Sequence, residues 1–189
     1  GNTVVAIGKK GRVAPPGVRL LTYAPKREPS QHTHPYLRRF EDAILHGQEV
    51  ARLLEGLRRE SFIPDIIIGH HGWGETLFAK EVFPAVPILS YCEYYYRPHG
   101  GDVDFDPNHK PSLDDVCRTR VLNGHHLMAI EAAERGLAPT HWQRDQFPIA
   151  ARDKIAVVHD GIDVRSIKPD PDATFTLPDG TVLSRRHEV

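Results

Sequence analysis

Cysteine, methionine, tryptophan and any surplus of one charge sign are what this sequence has least of. Among 189 residues there are two cysteines, one methionine and two tryptophans. Cys92 and Cys117 make no spaced framework, so a disulfide-stapled secreted scaffold is excluded, and reduced thiols are the expected state. None is needed for stability, because a chain of this length buries roughly 70% of its unfolded surface on folding. Charge is balanced, with 24 Lys+Arg against 25 Asp+Glu. No net field is present to recruit nucleic acid or an anionic bilayer, so no nucleic-acid partner is expected. No apolar run approaches the ~18 residues that mark a membrane span, and no signal-peptide pattern opens the chain. A cytoplasmic location, extending to the inner membrane surface, is the expectation. Several motifs are missing as well. Without G-x-G-x-x-G, a Walker lysine with its serine, H-E-x-x-H or C-x-x-C, the strongest signatures of dinucleotide, phosphate and zinc sites are gone.

What is present is an alternation of strand and helix patterns. "TVVAIG" (residues 3–8) and "VRLLTYAP" (18–25) read as strands, separated by glycine and proline. Residues 36–60 carry the clearest helical period, with Leu37, Phe40, Ile44, Ala51, Leu54 and Leu57 on one stripe and Gly47 among them. "DIIIG" (65–69) is a continuous apolar run of the kind buried on both faces of a parallel sheet. "ETLFAKEVF" reads as a short helix and "VPILSYCEYYY" as the next strand. "SLDD" opens a further helix with a capping box in form, its buried face marked by Leu113, Cys117, Val121, Gly124, Met128 and Ala132. Thr140 caps "HWQRDQF", "KIAVVHDGID" is a last apolar strand, and Asp179-Gly180 marks a hairpin. The expected class is α/β: an open, mostly parallel Rossmann-like sheet with helices on both faces. The expected division is a domain over residues 1–163 and a leader with a β-hairpin over 164–189.

The chemistry concentrates in "PDIIIGHHGWGE", residues 64–75. In open parallel sheets ligands bind beyond the carboxyl ends of strands, and this turn lies there. Gly72 and Gly74 permit tight turns and close approach of backbone to a ligand. Glu75, expected in a first helical turn, repels a phosphate but accepts hydrogen bonds from paired hydroxyls. Trp73 offers a flat apolar face to a sugar ring. Glu93 and Arg97, after the neighbouring strand, are expected at the rim. A hydroxyl-rich ligand is favoured over a phosphate; a turn that only caps and packs stays open. Twelve histidines raise a metal site, but adjacent histidines do not easily share one ion, and no metal is expected. The helix bearing His125 and His126 reads as a solvated face opposite a packed one.

In order and spacing, "PDIIIGHHGWGE", "PTHWQRDQFP" and "KIAVVHDGID" resemble the amino-terminal domain of retaining GT-B glycosyltransferases of family 4, above all a bacterial subgroup with a "GHxGWGE" loop. The matching positions are Asp65 and His70; Pro139, Thr140 and Trp142; and Val157 to Asp163. They cover roughly residues 60 to 165. Asp160 stands where the family usually has Asn. The resemblance implies one half of a GT-B architecture. It implies transfer of a sugar from a nucleotide-sugar to an acceptor hydroxyl with retention and without a cofactor or metal. The nucleotide-sugar is then held mainly by a carboxy-terminal donor-binding domain of the same chain, and a sugar or lipid acceptor by this one. His70 takes the family histidine's place near the transferred sugar, with His71 as the alternative. Gly72, Trp73, Gly74, Glu75, Glu93 and Arg97 are expected around the pocket.

The resemblance also implies a first strand and a donor domain that this sequence does not include, so a fragment, inactive alone, is expected. Open sheet edges in such a fragment predict a homodimer or strand exchange. Two other classes stay open: a stand-alone Rossmann-like module for a small polar ligand, and a histidine-dependent metallohydrolase.

Overall fold

The structure, a computed structural model, describes residues 1–101, 103–108 and 110–184. It divides into two compact units, Gly1–His159 and Asp160–Val189.

The first unit is α/β with parallel strand pairing throughout. β1 (Val4–Lys9) pairs in parallel with β2 (Val18–Tyr23). A 3-10 turn at Pro35–Leu37 leads into α1 (Arg38–Arg59), the crossover to β3 (Ile67–His70). A second 3-10 turn, His71–Trp73, and α2 (Ala79–Val82) precede β4 (Ile88–Tyr91). Then come α3 (Leu113–Leu122), α4 (Gly124–Ala132), β5 (Arg135–Ala138), α5 (His141–Gln146), α6 (Ile149–Arg152) and β6 (Ile155–Val157). β3, β4, β5 and β6 form a parallel sheet in that order. The strands form two ladders rather than one sheet: β1–β2 stands apart from the four-stranded set. Both ladders nonetheless share one core. Tyr23 of β2, Val50, Leu54 and Leu57 of α1, Ala79 of α2 and Ile88 of β4 are buried together, with Val5, Ile7, Leu21 and Ile67 packed against them. A second cluster joins Cys92, Ile130, Ala138, Phe147 and Ile155 under β5 and β6. Cys92 and Cys117 are both free thiols.

Three sequence expectations are corrected by packing. "DIIIG" is not buried on both faces: β3 is an edge strand and Ile68 is 68% exposed. The buried face of α1 runs through Ala43, His46, Gly47, Val50, Leu54 and Leu57; Phe40, Ile44 and Ala51 are only partly covered and Leu37 is exposed. It shifts because the turn after β3 packs on Gly47, where an added Cβ would stand 2.6 Å from the Gly74 carbonyl oxygen. The helix after Ser112 is two helices, broken at Asn123, and its inward face differs from the expected one. Leu113 and Met128 are exposed, while His125 and His126 are buried. The capping box at Ser112 is formed, with Asp115 accepting from the Ser112 N–H at 3.0 Å.

The second unit holds an antiparallel hairpin, β7 (Thr174–Thr176) with β8 (Val182–Ser184). Its turn carries Gly180 at φ 87°, the left-handed conformation that an Asp-Gly pair supplies. No helix among the described residues is long and apolar enough to cross a membrane.

Candidate functional site

The turn after β3 lies where the carboxyl ends of both ladders meet. From β1, the Lys9 ammonium stands 5.4 Å from the centroid of the Trp73 ring, a cation–π contact. From β2, the Tyr23 hydroxyl donates to Glu75 Oε1 at 2.6 Å. That donation leaves the Tyr23 oxygen to accept from His46 Nδ1 at 2.9 Å, which assigns the Nδ1–H tautomer to His46. Burial, then the bond to Glu75, raise the Tyr23 pKa, so the hydroxyl keeps its proton and stays a donor. Glu75 is thus tied into the frame through one oxygen. It also lies in a turn and not in the first turn of a helix, since α2 begins only at Ala79. The helix-dipole argument for Glu75 does not apply.

Glycine serves this turn by letting protein pack on protein. Gly74 adopts φ 88°, and a Cβ there would sit 2.2 Å from the Ala43 carbonyl oxygen of α1. A Cβ on Gly72 would sit 2.5 Å from Cε1 of His70. The close approaches foreseen for a ligand are made instead by helix α1 and by the His70 ring.

His70 is held at both ring nitrogens. The Gly72 N–H donates to Nδ1 at 3.0 Å, so Nε2 carries the proton and donates to Glu93 Oε2 at 2.9 Å. The Glu93 carboxylate is more than half exposed and the His70 ring partly so. Strand register explains the meeting: His70 ends β3 opposite Tyr91 of β4, and Glu93 follows two residues on. With both His70 nitrogens engaged, the open group at the surface is the Glu93 carboxylate, which can accept hydroxyl hydrogen bonds of a polyol.

His71 is placed differently. It is 1% exposed, with Nδ1 hydrogen-bonded to Ser90 Oγ at 2.9 Å. Burial, then the neighbouring His70 and His125, push its pKa down to about 3, so the ring is neutral. His71 begins the 3-10 turn, and its ring lies nearly parallel to that of His70, centroids 5.8 Å apart, on the buried side against His126 and Phe147. Arg97 also turns inward. Its Nε donates to the Gln146 carbonyl at 2.7 Å and its Nη2 to the Phe147 carbonyl at 3.4 Å, tying the segment after β4 to the end of α5.

Sequence reasoning missed the shell behind the turn. His125 Nε2 donates to the Gly72 carbonyl at 3.0 Å, so the Gly72 peptide is fixed at its N–H by His70 and at its carbonyl by His125. His126 lies against His71, its ring centroid 4.9 Å away. Neither ring nitrogen of His126 has a hydrogen-bond partner among the described residues. Burial, then the neighbouring histidines, push its pKa down to about 2. His126 continues a buried row with Thr119, Asn123 and Ile130 at helical spacing, but all except Ile130 are polar and an apolar period does not mark them. Among the described residues no group of three or more His, Cys, Asp or Glu side chains is arranged to hold a metal ion.

Parallel ladders joined by helical crossovers define a Rossmann-like α/β domain, with a histidine–carboxylate pair at adjacent strand ends. Residues 1–167 match the family model described as the glycosyl transferase family 4 group, and the chain belongs to that family. No curated protein matches it.

Proposed function

We propose that this chain is the acceptor-side half of a glycosyltransferase that moves a sugar from a nucleotide-sugar to an acceptor hydroxyl with retention at the anomeric carbon. The observation that carries the reading is the 2.9 Å contact of His70 Nε2 with Glu93 at the ends of adjacent strands. Family membership supports transferase chemistry; the donor, the retention and the division of labour are what the resemblance to retaining GT-B enzymes implies. When substrate binds, the His70 N–H exchanges Glu93 for a sugar hydroxyl or for the developing charge beside the leaving phosphate. Glu93 accepts a hydroxyl hydrogen bond, and Trp73 with Gly72, Gly74 and Glu75 forms the wall. The nucleotide-sugar is held mainly by a carboxy-terminal donor-binding domain, the partner of this half. No metal or further cofactor takes part, the half alone does not turn over, and it works in the cytoplasm or at the inner membrane surface.

The test is transfer by the full-length enzyme carrying His70→Ala. Loss of a preorganised hydrogen-bond donor at the reacting end should cut kcat by about 10²- to 10³-fold. Unchanged turnover would remove His70 from the mechanism.

A further inference from the structure

The chain leaving β4 runs from Glu93 into three tyrosines, and the first of them opens a second feature at this end of the sheet. Tyr94 stands 6.2 Å, centroid to centroid, from Trp142 of α5, the planes tilted by 48°. Tyr94 also packs edge-on against Tyr96 at 5.0 Å. With Gly100, Gly101, Asp104 and Phe105 of the following loop, Tyr94 and Trp142 line an open cavity of about 690 Å³. Two of the rings are left in solvent: Phe105 is 84% exposed and Trp142 51%. Burying such a side chain is favourable, so folding of the described residues leaves that stabilisation unused at both positions.

Beside these rings lies one fixed acid. The Gly100 N–H donates to both oxygens of Asp104, at 3.0 and 3.1 Å, and the Gly101 N–H to Oδ1 at 3.4 Å. The bond from Gly100 holds this carboxyl below its ordinary pKa, so it is an ionised acceptor of set orientation.

We propose that this cavity is a carbohydrate subsite that takes a pyranose ring of the acceptor. Trp142, Tyr94 and Phe105 lie against the ring's C–H faces, and Asp104 accepts hydrogen bonds from its hydroxyls. The inference deepens the transferase reading and rests on it. It selects a sugar as the acceptor group over a lipid tail, because an apolar chain gives a fixed carboxylate nothing to bind. Aromatic rings beside a carboxylate also suit a quaternary ammonium group. That ligand needs rings closed around a small cation, whereas this cavity is open and falls in the roughly 300–1,000 Å³ range of sites for larger molecules. Tyr94 directly follows Glu93, so a sugar seated here is one residue along the chain from the His70–Glu93 pair.

The chain has two tryptophans, which gives a direct readout. In a ¹H–¹⁵N spectrum the two indole N–H signals are assigned with Trp142→Phe, and the protein is titrated with methyl α- and β-glucopyranoside, methyl α-mannopyranoside and, separately, tetramethylammonium. A saturable shift of the Trp142 signal with at least one glycoside is expected. Asp104→Asn should weaken that binding by about tenfold, the loss of one charge-assisted hydrogen bond. Phe105→Ala should weaken it too, and being so exposed it leaves the fold intact. No response of Trp142 to any glycoside would overturn the subsite, as would a response to tetramethylammonium alone. The two readings fail separately. Transfer by the full-length enzyme with Trp142 silent to glycosides sinks only the subsite. Glycoside binding at Trp142 with full turnover by His70→Ala sinks only the role of His70.

Discussion

His70 and His71 are chemically identical neighbours with stacked rings and different fates, and the difference is one of burial and partner. One ring meets Glu93 at the surface and the other meets Ser90 inside. Behind them the buried rings of His71 and His126 make stability depend on pH. Both have folded-state pKa values well under the ordinary 6.5, about 3 and about 2. The unfolded chain therefore binds more protons than the folded one between those values and 6.5. Stability contributed by these groups is present above pH 6.5 and is lost as pH falls toward pH 3. Each histidine contributes a slope of up to about 1.4 kcal/mol per pH unit in that window. A thermal melt series from pH 7 to pH 4.5 should show a steep decline in Tm. His126→Phe removes one of the two groups, and with it two unpartnered ring nitrogens. Its melting temperature should be flatter with pH and no lower than the parent's at pH 5. An equally steep decline in the variant would show that His126 is not one of the titrating groups.

At the scale of elements, the site depends on how α1 meets the turn after β3. Gly47 and Gly74 face each other across that junction, and neither has room for a Cβ. Gly74→Ala combines a left-handed backbone at φ 88° with a clash against the Ala43 carbonyl. It should cost about 2–4 kcal/mol in denaturant unfolding, more than the roughly 1 kcal/mol of a left-handed alanine in open space. Gly180→Ala, also left-handed but with nothing within 4 Å of its Cβ, is the control for the backbone term alone. Equal costs at the two positions would mean that the packing against α1 contributes nothing.

At the scale of the whole molecule, the separation of the β1–β2 ladder from the four-stranded sheet leaves strand edges without ladder partners among the described residues. β3 is one, and its Ile68 is the most exposed isoleucine of the "DIIIG" run. Edges of this kind pair with other chains unless a charge blocks them. The protein should run as a dimer or strand-exchanged species in light scattering at micromolar concentration, and Ile68→Lys should shift it to the monomer mass. A monodisperse monomer before substitution would count against edge pairing.

Much of this arrangement could be read without coordinates, and the reason is that it is local. Alternating β-branched runs and helical periods specify α/β with parallel strands, because each period states which kind of surface a segment can bury. The cap at Ser112, the Thr140 cap and the Asp179-Gly180 hairpin are likewise set within a few residues. The turn at residues 69–75 was visible as a strand-end turn rich in reactive side chains. Tertiary structure alone decided what each of those side chains does. Glu75 is tied to Tyr23, 52 residues away, and His125 reaches Gly72 across 53. Arg97 turns back to the end of α5, and His125 and His126 face inward, where packing against the turn after β3 covers them. Periodicity reports which face a residue occupies on its own element. It carries no information about which distant donor or acceptor comes to meet it, and that is fixed only when the elements pack.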